Sequence, residues 1–188
     1  MTVQTHRLKN GFRIVTEHMP GLKSASVGIW VNAGGRHERI EQNGIAHFLE
    51  HMLFLGTQRY PLAGDYQAFI SEHGGSHNAS TSLEHTNYFF SIDADYLEDA
   101  LDRFAPFFFE PTFDANYVNR ERNAVESEYQ LKLKSDSRRQ WDVLREIINP
   151  QHPLSKFTVG NNLTLVDGKN GLLRDQLIKM YNHYYQQL

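Results

Sequence analysis

The chain has 188 residues, 19 Lys+Arg against 22 Asp+Glu, 10 His, no Cys and a formal net charge of -3. A hydrophobic share of 40% can fill a core and excludes a disordered linker, while the mild acidity argues against nucleic acid as the main partner. No apolar run approaches the ~18 residues of a membrane-spanning helix, the N-terminus has no apolar signal core, and the lack of Cys removes disulfides and thiolate sites without choosing between cytoplasm and periplasm.

Residues 3–8 and 12–17 flank Asn10-Gly11, a dipeptide suited to the positive φ angles of a tight hairpin turn, so the chain is predicted to open with two paired strands. Residues 25–33 alternate small or polar with apolar side chains and end at Gly34-Gly35, as a third strand would. A polar loop, RHERIEQN, follows. Residues 44–55 (GIAHFLEHMLFL) are apolar on most faces and stop at Gly56, which predicts a buried helix. Residues 65–73 form a short amphipathic helix closed by Gly74-Gly75, and residues 76–82 and 86–93 form a second hairpin. Residues 96–109 carry apolar side chains at helical spacing, with Pro106 expected to kink or shorten the helix. Residues 116–134 predict a long helix with Asp114 near its N-cap, and residues 138–148 another. After an irregular stretch, HPLSKFTVGNNLTL, residues 174–186 form a last amphipathic helix. The element order predicts an α+β domain, a largely antiparallel sheet with helices packed on one face.

Within the buried helix sits His47-Phe48-Leu49-Glu50-His51. Residues i and i+4 share a helix face, so His47 and His51 can direct two imidazoles at one ion. Glu50 is rotated about 80° from the mean direction of the pair, near enough to reach a water on that ion. Zinc suits imidazole and carboxylate ligands, and a catalytic zinc keeps three protein ligands with one open position, so a third ligand is required. A hydrogen-bonded polar cluster is the alternative, but three ionisable groups in so apolar a helix are costly to bury without a metal. His73 and His77 are also four apart, yet Gly74-Gly75 breaks the helix that would align them. The remaining histidines lack ligand-like spacing and suit surface or capping roles. Candidates for the third ligand are Glu121, Glu126 and Glu128. Glu121 and Glu128, seven apart, share one stripe, whereas Glu126 lies about 200° round from Glu128. Periodicity selects a pair, not one member, and solvated helix-face carboxylates are the plain alternative.

The H-x-x-E-H motif is the signature of inverzincins. With its surroundings, GIAHFLEHMLFLGTQRYP, SEHGGSHNASTS, HTNYFF, NRERNAVESEYQ and NPQHPLSKFTVGN, the chain resembles the M16 metallopeptidases, most closely their pitrilysin and insulysin branch. The resemblance implies one Zn2+ held by His47, His51 and Glu128, with Glu50 as general base and Glu121 as a supporting acidic residue. It also implies that residues 76–81 are an edge strand against which an extended substrate pairs. Asn78 and Ala79 would then line the cleft, and Phe54 would give it an apolar wall. A departure falls in the helix after Glu128, where Arg138 stands at a position that is aromatic in insulysin, although Trp141 remains aromatic.

The activity implied is zinc-dependent endoproteolysis of peptides or small unfolded proteins. Members of this branch have four homologous domains enclosing a chamber, and Tyr and Arg residues of the C-terminal half complete the cleft. The 188 residues are therefore expected to be a single, C-terminally incomplete N-terminal zinc-binding domain, weak or inactive without the C-terminal half. A noncatalytic M16-like structural module, or a peptide-binding module with a merely structural metal, is the alternative.

Overall fold

A computed structural model describes residues 1–39, 42–168 and 171–186. Ile40 and Glu41, part of the polar loop, lie outside the described residues, as do residues 169–170 and 187–188. Strands β1 (Thr2–Arg7) and β2 (Arg13–His18) pair antiparallel from Thr2↔His18 to Arg7↔Arg13. Only one of the two positive φ angles expected at Asn10-Gly11 forms. Leu8 bonds Phe12 across the turn, and Gly11 takes φ +93 while Asn10 does not turn left-handed. One glycine in that region suffices when the loop is longer.

Strand β3 (Ser24–Val31), a 3-10 turn (Gly35–His37) and helices α1 (Ile45–Leu53) and α2 (Asp65–Glu72) precede the second hairpin. That hairpin, β4 (Ser76–Thr81) and β5 (Thr86–Asp93), falls where the turn at Leu83 to His85 places it. The strands divide into two sheets rather than one: β1 with β2, and a three-stranded sheet ordered β3-β5-β4. In β5 the side chains of Tyr88, Phe90 and Ile92 are buried, while Phe89 between them is exposed. The helices thus cover one face, as the period-two pattern requires.

Helix α3 (Leu97–Phe104) gives way to a 3-10 turn (Ala105–Phe108) at Pro106, which supplies no amide for a further helical bond. Helix α4 (Ala115–Lys132) starts at Asp114, whose side chain accepts the Asn116 amide. Helices α5 (Asp136–Ile147) and α6 (Leu173–Tyr184) complete the chain, separated by an irregular stretch containing one 3-10 turn (Pro153–Ser155).

Helix α1 is central because it is apolar nearly all round. It packs on α4, α6 and β4, with Phe48, Leu49, Met52 and Leu53 essentially inaccessible. Burying such side chains contributes roughly 1.5–3 kcal/mol each, enough to hold the polar residues of the same helix at depth. Its N-cap, Gly44, has no capping side chain of its own. Glu38, 5% exposed, reaches in from the preceding turn instead, its two oxygens accepting the amides of Gly44 and Ala46 at 2.9 Å each.

Candidate metal centre

His47 and His51 project from one face of α1, one turn apart, their rings edge to face at 4.7 Å. The opposing wall is α4, whose rotation is fixed by Val125, buried at 0% exposure. Residues four before and three after Val125 share its stripe, so Glu121 and Glu128 both face α1. Glu126 is turned aside, as its angular offset requires.

The two carboxylates that periodicity left equivalent approach different nitrogens. Glu121 Oε1 lies 2.7 Å from His51 Nδ1. Glu128 Oε2 lies 3.5 Å from His47 Nε2 and 3.4 Å from His51 Nε2, and the two Nε2 atoms are 3.3 Å apart. Lys132, one turn on, pairs with the other oxygen of Glu128. His47 Nδ1 is 2.6 Å from the Val159 carbonyl, which can only accept, so Nδ1 carries the proton and Nε2 turns its lone pair to Glu128.

Three potential ligand atoms thus converge in a nearly equilateral triangle with edges of 3.3, 3.4 and 3.5 Å. Four-coordinate zinc with bonds of about 2.0–2.1 Å separates its ligands by about 3.3 Å, so the donor set and its spacing fit that ion. His47, His51 and Glu128 form the group that could hold a metal among the described residues. The electrostatics agree. Burial opposes a charge on His51, yet hydrogen bonds to Glu121 and Glu128 outweigh it and push the imidazole up to about 9. The imidazoles of His47 and His51 beside it hold the Glu128 carboxyl well below the ordinary range, against the opposing effect of burial. A site that grips a proton this way also attracts a divalent cation, which takes the proton's place.

Glu50 lies beside the triad, 8% exposed, and its Oε2 accepts a hydrogen bond of 2.5 Å from Thr81 Oγ1. All of these groups border one cavity of about 640 Å³. Asn78, Ala79 and Phe54 line it too, Asn78 and Ala79 from β4, which is an edge strand of its sheet. Phe54 packs within 5.4 Å of Phe107 and 5.7 Å of His77, so its wall is held from behind. Arg138 also borders the cavity. His73, the rejected partner of His77, instead bonds the Phe69 carbonyl.

A family model described as Insulinase (Peptidase family M16) matches residues 13–157. The chain belongs to the M16 insulinase family. It is 42% identical to the insulin-degrading enzyme of Homo sapiens over 181 residues, 95% of this chain and 18% of that protein. It is 40% identical over 182 residues to the putative zinc protease mug138 of Schizosaccharomyces pombe, covering 95% of this chain and 19% of that protein. The crystal structure of pitrilysin superposes with a TM-score of 0.93 at 36% identity, covering 98% of this chain and 20% of that one. The M16 chain therefore spans about a fifth of the length of these relatives. No helix among its described residues is long and apolar enough to cross a membrane.

Sequence reasoning missed several contributors in this M16 site. Thr81 and Lys132 are single polar residues without a motif, and only the packing of β4 on α1 and one helical turn on α4 give them partners. Val159 contributes a carbonyl, which no side-chain pattern reports. Glu38 sits in a polar loop six residues before the amide it caps, outside the spacing of an ordinary N-cap.

Proposed function

We propose that this chain is the zinc-binding part of an M16 endopeptidase that hydrolyses peptides or small unfolded proteins, with His47, His51 and Glu128 as ligands and Glu50 as general base. The observation that carries the reading is the triangle of three potential ligand atoms at tetrahedral spacing with a buried carboxylate beside it. When bound, zinc supplies Lewis acidity to a carbonyl oxygen and lowers the pKa of a water toward ~7. The remaining work falls to the chain. Thr81 holds Oε2 of Glu50, leaving Oε1 to take a proton from water and deliver it to the departing amine. Glu121 keeps His51 in the tautomer that offers Nε2. The open edge of β4, with Asn78 and Ala79, pairs an extended substrate backbone across the cavity, and Phe54 gives it an apolar surface.

Given the fraction of its relatives that it spans, the chain is read as a single, incomplete N-terminal domain whose partner is the C-terminal half of the same enzyme. Alone it binds zinc and cleaves peptides weakly or not at all. Metal analysis of the purified chain tests the ligand set: His47→Ala or Glu128→Ala abolishes stoichiometric zinc. Glu50→Gln retains zinc, and in the longer protein lowers peptide turnover by about 10²–10⁴-fold. Wild-type zinc affinity in either alanine variant, or normal turnover by Glu50→Gln, refutes the assignment.

A further inference from the structure

We infer that residues 156–165 are a positioning strap for the metal centre, held by Glu126 and Lys156, and that through the Val159 carbonyl it sets the tautomer of His47. The inference rests on the reading of His47 as a ligand. A neutral imidazole has one N–H, and the partner of one nitrogen decides whether the other offers a lone pair. For His51 that partner is the side chain of Glu121. For His47 it is a main-chain atom of an irregular segment, so its placement depends on whatever holds that backbone.

The holding is extensive for a stretch without regular structure. Glycines 44 and 160 meet main chain to main chain: a Cβ on Gly44 would fall 2.2 Å from Gly160 Cα, so the strap rests directly on the start of α1. Leu165, 1% exposed, anchors the far end in the core, and the Phe157 ring meets Tyr129 of α4 at 5.3 Å. Two charged side chains then bind backbone groups at either end. Lys156 Nζ donates to the carbonyls of Arg36, at 2.8 Å, and Glu38. Glu126 Oε2 accepts the Asn162 amide at 2.7 Å, while its Oε1 accepts from Gln130 Nε2 at 2.7 Å. Glu126 is the carboxylate that its angle on α4 excludes as a ligand. It acts one step removed, and α4 thereby presents ligand and supporting carboxylate on one face and the strap anchor on nearly the opposite one.

The experiment compares the wild-type chain with Glu126→Ala, Lys156→Met, the double variant and Glu126→Gln, by nitrogen-15 NMR of the imidazoles in the metal-free chain and by zinc competition. Wild-type His47 is expected as the Nδ1–H tautomer. Glu126→Ala and Lys156→Met each admit the Nε2–H form and weaken zinc about tenfold, the double variant more than either, as for outer residues that orient a ligand. Glu126→Gln stays near wild type, because its amide oxygen still accepts from Asn162. If the first three variants keep His47 as Nδ1–H with wild-type zinc affinity, the strap is only a closed surface loop, whatever their thermal stability, and the inference fails. A wild-type chain that binds no zinc defeats the proposed function instead, while the tautomer in the metal-free chain still decides the strap.

Discussion

On the proposed ligand set, removing the Glu121 carboxylate is expected to weaken zinc binding by one to two decades without touching a ligand. Glu121 Oε1 sits 2.7 Å from His51 Nδ1, and its side chain is 14% exposed, so the contact is short, charge-assisted and little screened. Hydrogen bonds to a charged group contribute about 1.5–3 kcal/mol net. The outer partner of a metal-binding imidazole contributes 10–100-fold in affinity, which converts to about 1.4–2.7 kcal/mol. The two routes agree, so Glu121→Ala is expected to raise the zinc Kd by about 10–100-fold. Glu121→Gln retains a neutral acceptor of about 0.5–1.5 kcal/mol, so its loss is about threefold to tenfold. Competition against a chromophoric chelator at fixed pH measures both, with circular dichroism to confirm the fold. An Ala variant that binds zinc as tightly as the wild type, or a Gln variant worse than Ala, would refute the orientation argument.

Gly44→Ala places a Cβ 2.2 Å from Gly160 Cα at a residue with φ +92. Left-handed strain of about 1–2 kcal/mol and main-chain overlap of about 1–3 kcal/mol together lower Tm by about 5–15 °C in a chain of this size, and an unchanged Tm by calorimetry counts against the contact. Burial pushes the Glu38 carboxyl up to about 8, although the amides of Ala46 and Gly44 and the charge of Lys156 pull it down. A folded-state pKa above the unfolded value contributes stability that is complete below about 4.5 and is lost as pH rises through 8, by a few kcal/mol at most. Glu38→Gln, which cannot ionise, therefore shows a flatter Tm between pH 4.5 and 8 than the wild type. Parallel Tm profiles for the two proteins would remove Glu38 from the account.

Much of the fold was legible because its signals are local. The alternation of residues 86–93, the all-apolar surface of residues 44–55 and Asp114 before α4 each concern neighbours a few positions apart, and each element formed within about two residues of its expected place. The hairpin at Asn10-Gly11 formed where it was expected, but Asn10 does not take a positive φ, because strand pairing sets the loop geometry. The division into two sheets was not legible either, because alternation reports which face is buried and not which strand lies alongside.

The sequence alone determined the i, i+4 imidazole pair, the carboxylate between them and the stripe that Glu121 and Glu128 share, because helical periodicity is a property of the chain. Its resemblance to M16 peptidases went further and singled out Glu128. What only the tertiary structure decided is which nitrogen each carboxylate meets: the burial of Val125 sets the rotation of α4 against α1. It also decided the part played by Glu38, Thr81 and the Val159 carbonyl. Those contacts join segments from six to more than a hundred residues apart. No pattern of side chains encodes where a main-chain oxygen will stand until packing has placed the backbone that carries it.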